Sequence, residues 1–105
     1  MDAQEQKIIT AKQHFQQSIE DRFKNSDLQL NPETPGSDGF VLGTEDGSRR
    51  VRAVFHCDQD DVQVDLYRPL GAGWDSEPFE RGLRDFERAG FLIQEELKGN
   101  EQKIQ

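Results

Sequence analysis

The most constraining feature of the sequence is a pair of turn signals, Asp46-Gly47 and Asp58–Asp61, on either side of one candidate strand. Asp-Gly favours a two-residue type I′ hairpin, because Gly and Asp tolerate the positive φ that this turn requires. Centring the turns on Asp46-Gly47 and on Gln59-Asp60 fixes two strand registers independently. The resulting pairs are Phe40 with Ala53, Leu42 with Val51, Ala53 with Leu66, Phe55 with Val64 and Cys57 with Val62.

The two registers agree on which side of the sheet is apolar. A slip of one residue would move every side chain of a strand to the other face, so this agreement predicts a three-stranded antiparallel meander. Its other face is polar, as is usual when one side of an antiparallel sheet is solvated. The apolar face consists of Phe40, Leu42, Val51, Ala53, Phe55, Cys57, Val62, Val64 and Leu66.

A helical repeat precedes the meander. Apolar residues recur at three- and four-residue spacing along Asp2–Lys24 and predict a helix with one narrow stripe, which should lie flat on the apolar sheet face. The stripe consists of Ile8, Ala11, Phe15, Ile19 and Phe23. Between the helix and the meander, Leu28 and Leu30 alternate with polar residues and favour a short edge strand before Pro32.

The segment after the meander is predicted to contain a second helix. Residues 70–74 read as a flexible Gly-rich loop, after which Asp75 or Ser76 would cap the helix, with Pro78 in its first turn. Gly90 would end this helix. Residues 91–97 then fit either a short fourth strand or a continuation of the helix. The apolar stripe of the predicted helix consists of Phe79, Leu83 and Phe86.

Together these elements predict an α+β fold: an N-terminal helix, a three-stranded antiparallel β-meander, a second helix and, as one of the two alternatives for residues 91–97, a short fourth strand, with the helices packed on one sheet face. The 105 residues suffice for one domain, which we expect over 1–98, with 99–105 as a flexible tail. Cys57, the lone cysteine, has no partner for an internal disulfide, and no long apolar segment occurs. We therefore expect a cytoplasmic protein that makes no membrane contact.

The charge of the chain is strongly acidic, with 13 Lys+Arg against 21 Asp+Glu and a formal net charge of -8. Nucleic-acid binding depends on cations that replace condensed counterions, so we predict no direct nucleic-acid contact. The predicted element order resembles that of double-stranded-RNA-binding domains, which need basic residues to contact phosphates. Here the second helix would begin with Asp75, Glu77 and Glu80. The acidity instead favours a protein partner with a basic surface.

Motifs for catalysis or metal binding are absent from the sequence. The acidic turn at Asp58–Asp61 lacks the Gly and Glu of a calcium loop. His56 and Cys57 are neighbours on a strand and should point to opposite faces. His14 and His56 are the two histidines, and neither has zinc-ligand spacing to a partner. We therefore predict no catalytic residue, no metal site and no cofactor.

The polar sheet face and the Gly-rich loop supply the candidate binding residues. The predicted register sets Arg52 opposite Tyr67 and diagonal to Asp65, so that stacking and a charge pair are both within reach. Trp74 either covers an edge of the core or stands exposed as an interface anchor. The candidate binding face consists of Arg50, Arg52, His56, Asp65, Tyr67 and Trp74.

Three functional hypotheses follow. The leading one is a small acidic, non-enzymatic protein-binding domain (an adaptor, a chaperone-like protein or an inhibitor) that uses one sheet face, as a monomer or as a homodimer formed through open strand edges. The second is an inhibitor that mimics DNA with its carboxylates. The third is a small acid–base or metal-assisted enzyme with a pocket that collects His56, Asp65, Tyr67 or Arg52.

Overall fold

The chain forms two helices and seven strands in the computed structural model, which describes residues 3–24, 28–32, 39–44, 49–58 and 61–104. Five strands form one antiparallel sheet in the order β1-β2-β3-β4-β7, and β5 and β6 form a separate hairpin. The predicted α+β class is confirmed. The elements are α1 (Ala3–Phe23), β1 (Leu28–Pro32), β2 (Gly39–Thr44), β3 (Arg50–Asp58), β4 (Asp61–Tyr67), β5 (Pro69–Leu70), β6 (Gly73–Trp74), β7 (Glu80–Leu83) and α2 (Phe86–Ile104).

The predicted meander is confirmed in both registers. The structure pairs Phe40 with Ala53, Leu42 with Val51, Ala53 with Leu66, Phe55 with Val64 and Cys57 with Val62. The edge strand favoured by the Leu28 and Leu30 alternation also forms, as β1 paired antiparallel with β2. The turn tips that fixed these registers, at 45–48 and 59–60, lie outside the described residues.

The apolar face of the sheet and the two helices enclose one core. Phe15 of α1 lies at its centre, with its ring centroid 5.1 Å from that of Phe55 and 6.2 Å from that of Phe40. Tilted and edge-to-face pairs of this kind contribute about 0.5–1.5 kcal/mol beyond the area they bury. Both helices therefore pack on one sheet face, as predicted. The buried core residues are Ala11, Phe15, Ile19, Phe23, Phe40, Leu42, Val51, Ala53, Phe55, Val64, Leu66, Ala89, Ile93 and Leu97.

The predicted start of the second helix, at Asp75 or Ser76, is wrong. The helix begins at Phe86 and is capped by Asp85, whose Oδ1 accepts the backbone N–H of Glu87 at 3.1 Å and that of the next residue at 3.3 Å. Such a cap satisfies N–H groups that the first helical turn leaves free. The resemblance to double-stranded-RNA-binding domains in element order ends here, because β7 lies between the meander and the second helix.

Strand pairing explains why residues 80–83 are not helical. They form β7, which pairs with β4 and thereby extends the sheet. Gly82 has a φ of 69°, which lies outside the helical region, and its N–H is bonded to a side chain of β4. Glu77 and Arg81, whose four-residue spacing is typical of an ion pair on a helix, still form a salt bridge at 2.8 Å without one. Such pairs stabilise a helix by only about 0.2–0.5 kcal/mol, so they lose to strand pairing.

The prediction that Gly90 ends the second helix is wrong, because Gly90 lies inside α2. A Cβ at this position would stand 3.1 Å from Nε of Arg22 and 3.4 Å from Cδ1 of Ile19. α1 and α2 therefore approach closely at Gly90, and a larger residue would require the Arg22 side chain to shift by a few tenths of an ångström. Of the two alternatives for residues 91–97, the structure shows the helix: this segment continues α2 and buries Ile93 in the core, so no fourth strand forms there.

The C-terminal part of α2 overlaps the segment that was predicted to be a flexible tail. The helix runs to Ile104, into the segment 99–105 that the sequence suggested as a tail. The division into a domain over 1–98 and a tail stays a prediction. Neither helix of the described residues is long and apolar enough to cross a membrane.

Candidate functional site

The sheet face that points away from the two helices is called the outer face below. Its side chains alternate with the buried core residues along β2, β3 and β4, and all but Gln63 are partly exposed. Five of the six predicted site residues lie on it, and Trp74 reaches it from β6. The outer face consists of Val41, Arg50, Arg52, Val54, His56, Gln63, Asp65 and Tyr67.

Arg50 connects the start of β3 to the β5–β6 hairpin. Its guanidinium carbon lies 4.8 Å from the centroid of the Trp74 ring, a cation–π distance. Its Nη2 donates hydrogen bonds to the carbonyl oxygens of Gly71 at 2.9 Å and Gly73 at 3.2 Å. Trp74 is half-buried against Arg50 and is not among the residues of the core. It therefore does not cover the core edge, which was one of its two predicted roles.

Arg52 and Tyr67 form a second cation–aromatic pair beside the first. They are directly opposite each other on β3 and β4, as the sequence predicted, with the guanidinium carbon of Arg52 5.4 Å from the Tyr67 ring centroid. On its other side Arg52 faces Val41 of β2. Two arginines and two aromatic rings thus occupy neighbouring positions, and both arginines project from the same rigid strand.

Asp65 of β4 connects the outer face to both neighbouring strands, β3 and β7. Its Oδ1 lies 3.0 Å from Nε2 of His56 and accepts the backbone N–H of Gly82 at 2.8 Å. The side chain of Asp65 is 16% exposed and that of His56 40%, so this pair is partly covered. The contact with Gly82 could not be foreseen from the sequence, because residues 80–83 were predicted to be helical rather than paired with β4.

The β5–β6 hairpin is a structured element where the sequence suggested a flexible loop. Pro69 pairs with Trp74 and Leu70 with Gly73. Gly71 has a φ of 59°, which glycine adopts easily, and it leads the tight turn. Leu70 is 65% exposed, and sequence reasoning did not single it out. The signal that was missed is the Gly71-Ala72 pair between two short apolar stretches, which is typical of a two-residue turn with glycine first.

Arg68 belongs to the framework rather than to the outer face. Its Nε and Nη2 donate to the two carboxylate oxygens of Glu96 at 2.6 and 3.1 Å, which ties the end of β4 to α2. Its guanidinium carbon also lies 4.6 Å from the ring centroid of Phe79. The hydrogen bond to Glu96 raises the pKa of Arg68, which favours the charged guanidinium in this link.

The arginines of the outer face lie together at one end of it. Arg50 and Arg52 are neighbours along β3 beside the β5–β6 hairpin, whereas the carboxylates of Asp61 and Asp65 follow on the same face of β4, and the formal net charge of the protein is -8. Charges beyond about 8 Å are largely screened at physiological salt, so a ligand on this face responds mainly to the local arginines. The face can therefore hold a carboxylate and stack apolar or planar groups beside it.

Two further observations concern acid–base and metal chemistry. An imidazole held by a carboxylate, as in His56–Asp65, is an arrangement that acid–base catalysis uses. Over the described ranges, no three His, Cys, Asp or Glu side chains are grouped so that they could hold a metal ion. A cavity of about 320 Å³ lies elsewhere, where Ser18, Asp21 and Arg22 of α1 meet Glu87 of α2.

No protein-family model, no curated protein and no solved structure matches this chain. Its function is therefore argued from the outer face itself.

Proposed function

We propose that this protein is a small acidic, non-enzymatic protein-binding domain that acts as an adaptor, a chaperone-like protein or an inhibitor through its outer face. One observation carries the proposal: the pairs Arg50–Trp74 and Arg52–Tyr67 lie side by side, at 4.8 and 5.4 Å. Arginine, tryptophan and tyrosine are the residues most enriched at the energetic centres of protein interfaces.

The rigidity of these side chains supports binding. Many polar sheet faces are merely solvated. Here each arginine is stacked on a ring, and Arg50 is also hydrogen-bonded to two carbonyl oxygens of the hairpin. A side chain that is already ordered loses less entropy when a partner covers it, which otherwise costs about 0.5–1.5 kcal/mol for each side chain.

The charge of the outer face refines the expected partner. The net charge of -8 predicts a partner with a basic surface, and that basic surface would contact the acidic residues around the outer face. The part of the partner that touches Arg50 and Arg52 would carry carboxylates. A cytoplasmic location without direct nucleic-acid contact remains part of the proposal. A homodimer would use the strands at the sheet edges, β1 and β7.

Affinity capture from the cells that make the protein tests the proposal, with two matched charge-reversal variants. Arg52→Glu reverses a charge on the outer face, and Arg81→Glu makes the same change in an exposed ion pair outside it, where the Arg81 side chain is 68% exposed. We expect the wild type and Arg81→Glu to retain a common partner at physiological salt, and Arg52→Glu to lose it.

Circular dichroism of both variants checks that the fold is intact. Equal recovery of the same proteins by both variants would contradict the proposal. A change in the oligomeric state of Arg52→Glu alone, measured by light scattering, would identify the partner as a second copy of the chain.

A further inference from the structure

The strand β1 forms one edge of the five-stranded sheet, and no other strand that the structure describes pairs with it on the side away from β2. The hydrogen bonds of β2 show which backbone groups this edge presents. The N–H of Thr44 donates to the carbonyl oxygen of Arg49 at 3.0 Å, so Thr44 bonds towards β3. Because bonding direction alternates along a strand, the β2 residues Gly43 and Val41 bond in the other direction, towards β1.

The same alternation continues into β1. The residues opposite Gly43 and Val41 are Gln29 and Asn31, which therefore bond to β2. The N–H and C=O groups of Leu28 and Leu30 then point away from the sheet. So does the C=O group of Pro32, which has no N–H to lose at this edge position. Backbone groups presented in this way can pair with a further strand.

The opposite edge of the sheet, β7, is poorly suited to such pairing. Its register against β4 is irregular, and the N–H of Gly82 donates back to the carboxylate of Asp65 at 2.8 Å. It also carries two charged residues, Glu80 and Arg81. Irregular pairing and charged residues are the usual means by which sheet edges avoid further strands. In contrast, β1 has a regular register and the uncharged sequence Leu-Gln-Leu-Asn-Pro.

A second copy of the chain fits the β1 edge better than a free peptide does. An added strand extends the apolar face of the sheet past β1, and this extension needs a cover. α1 packs against β1, so a second copy brings its own helix to cover its own strand. In an antiparallel pair related by a two-fold axis perpendicular to the sheet, the helix layers of both copies lie on the same side.

The charge of β1 also suits a symmetric pair. A two-fold axis sets a strand against itself, so any charge on it would lie close to a like charge, which is unfavourable. Although 32% of the residues in the chain are charged, none of them lies in β1. Since β7 does not offer a second edge, the pairing would stop at two copies and would not extend into a filament.

We infer that β1 pairs antiparallel with β1 of a second copy, so that two five-stranded sheets join into one continuous sheet. This dimer deepens the proposed function, on which it rests, because it selects one of the two edges open to a homodimer. It also sets the outer faces of both copies on the same side of the joined sheet. Two copies of a partner site could then be bound at once.

Light scattering of the full chain at several protein concentrations tests this dimer. We expect the wild type to dimerise more strongly as salt is added, because screening reduces the repulsion between two chains of net charge -8. Leu30→Pro removes an N–H that points to the second copy but none that bonds to β2. It should weaken dimerisation about tenfold or more, whereas Leu30→Ala keeps the N–H and should retain most of the association.

Charge changes at Gln29 test the same edge without altering the backbone. Gln29 is exposed and lies in the middle part of β1, near the two-fold axis. Gln29→Glu or Gln29→Lys would bring like charges together and should weaken dimerisation by about twofold to fivefold. An equal mixture of the two variants should associate as strongly as the wild type. The same changes at Gln13, which is exposed on α1, are the matched control and should have no such effect.

Three results would overturn the inference. They are a wild type that stays monomeric at every concentration, equal dimerisation of Leu30→Pro and Leu30→Ala, and a mixture of the Gln29 variants that associates no better than either variant alone. Circular dichroism checks that each variant folds, and if Leu30→Pro does not, the Gln29 mixture still decides.

Failure of the dimer and failure of the proposed function are distinguishable. Arg52 lies on the outer face of β3, two strands away from β1, so Arg52→Glu should keep the dimer while it loses the captured partner. Dimerisation lost in Arg52→Glu but kept in Leu30→Pro would place the contact between copies on the outer face and overturn the β1 edge. Equal capture by Arg52→Glu and Arg81→Glu, with a dimer that Leu30→Pro abolishes, would contradict binding through the outer face and leave the dimer standing.

Discussion

The two faces of the sheet are built from the same strands but differ in what holds their side chains in place. On β3, Val51 and Phe55 lie on the apolar face under the helices, called the inner face below, and are 0% and 2% exposed. Arg50, Arg52 and Val54 of the outer face are partly open to solvent. The inner residues are held by apolar burial, which gives about 1.5–3 kcal/mol for each large side chain. The outer ones are held by stacking and hydrogen bonds of about 1 kcal/mol or less. A residue that costs little stability when changed can thus be the one that binds.

The outer face itself has two unlike ends. At the end near β7, Asp65 and Gln63 are largely covered, and Asp65 bonds to the backbone of the edge strand. At the other end, beside the β5–β6 hairpin and called the hairpin end below, the pairs Arg50–Trp74 and Arg52–Tyr67 are partly exposed to solvent. We therefore expect changes near β7 to act on stability and changes at the hairpin end to act on binding.

The largest effect is expected from Phe55→Ala on the inner face. Phe55 makes ring contacts with Phe15, Phe40 and Phe86, at 5.1, 5.9 and 5.7 Å, so its removal leaves a cavity. Such truncations reduce the free energy of unfolding by about 3–5 kcal/mol, which is a large share of the 5–15 kcal/mol typical of a domain. Chemical denaturation followed by circular dichroism measures this loss.

Tyr67→Ala is the matched control on the outer face, since it also removes an aromatic ring from the same pair of strands. We expect it to reduce the free energy of unfolding by about 1 kcal/mol or less. Equal losses in the two variants would contradict the division between the faces. If Phe55→Ala does not fold, Phe55→Leu keeps the comparison measurable.

The meander was predictable because short-range rules determine it. The Asp46-Gly47 and Asp58–Asp61 signals fix where the chain reverses, and the alternation of apolar residues then leaves one register that makes a continuous apolar face. The Arg52–Tyr67 stacking followed from that register alone. The first helix was predictable for the same reason, since its stripe is complete within one segment.

The segment after the meander was not predictable by these rules, because long-range contacts determine it. The Glu77–Arg81 pair and Pro78 favour a helix locally, but β4 offers an edge that pairs with Glu80–Leu83. Gly90 was predicted to end the helix because Arg22, the side chain that packs closely against it, lies far away in the sequence. A better local signal was present: Asp85 precedes an apolar repeat that continues to Leu97.

Asp65→Ala is expected to have the second largest effect and tests the covered end of the outer face. It removes the acceptor for the Gly82 N–H and for His56, so the edge strand β7 loses its side-chain link to β4. Loss of a partly buried hydrogen-bond partner costs about 1–3 kcal/mol. Asp65→Asn keeps an oxygen at this position and should retain most of the stability.

Hydrogen exchange locates the effect of these two variants. Amide protection should fall in β7 and β4 of Asp65→Ala and remain close to that of the wild type at the hairpin end. A loss of protection spread evenly over the sheet, or an equal loss of stability in Asp65→Asn, would show that the link to Gly82 is not what holds this end.

The next effects in size are expected from two glycine substitutions that compare the ends directly. Gly71 in the hairpin and Gly82 in β7 both have positive φ, 59° and 69°, so alanine at either should cost about 1–2 kcal/mol from backbone strain. At Gly71 nothing lies within 4 Å of the added Cβ, whereas at Gly82 the Oε1 of Gln63 would be 3.1 Å away. Gly82→Ala should therefore lower the midpoint of thermal unfolding more than Gly71→Ala does. If Gly71→Ala proved equally destabilising, the hairpin end would be as tightly packed as the β7 end, and the separation of a stabilising end from a binding end would be wrong.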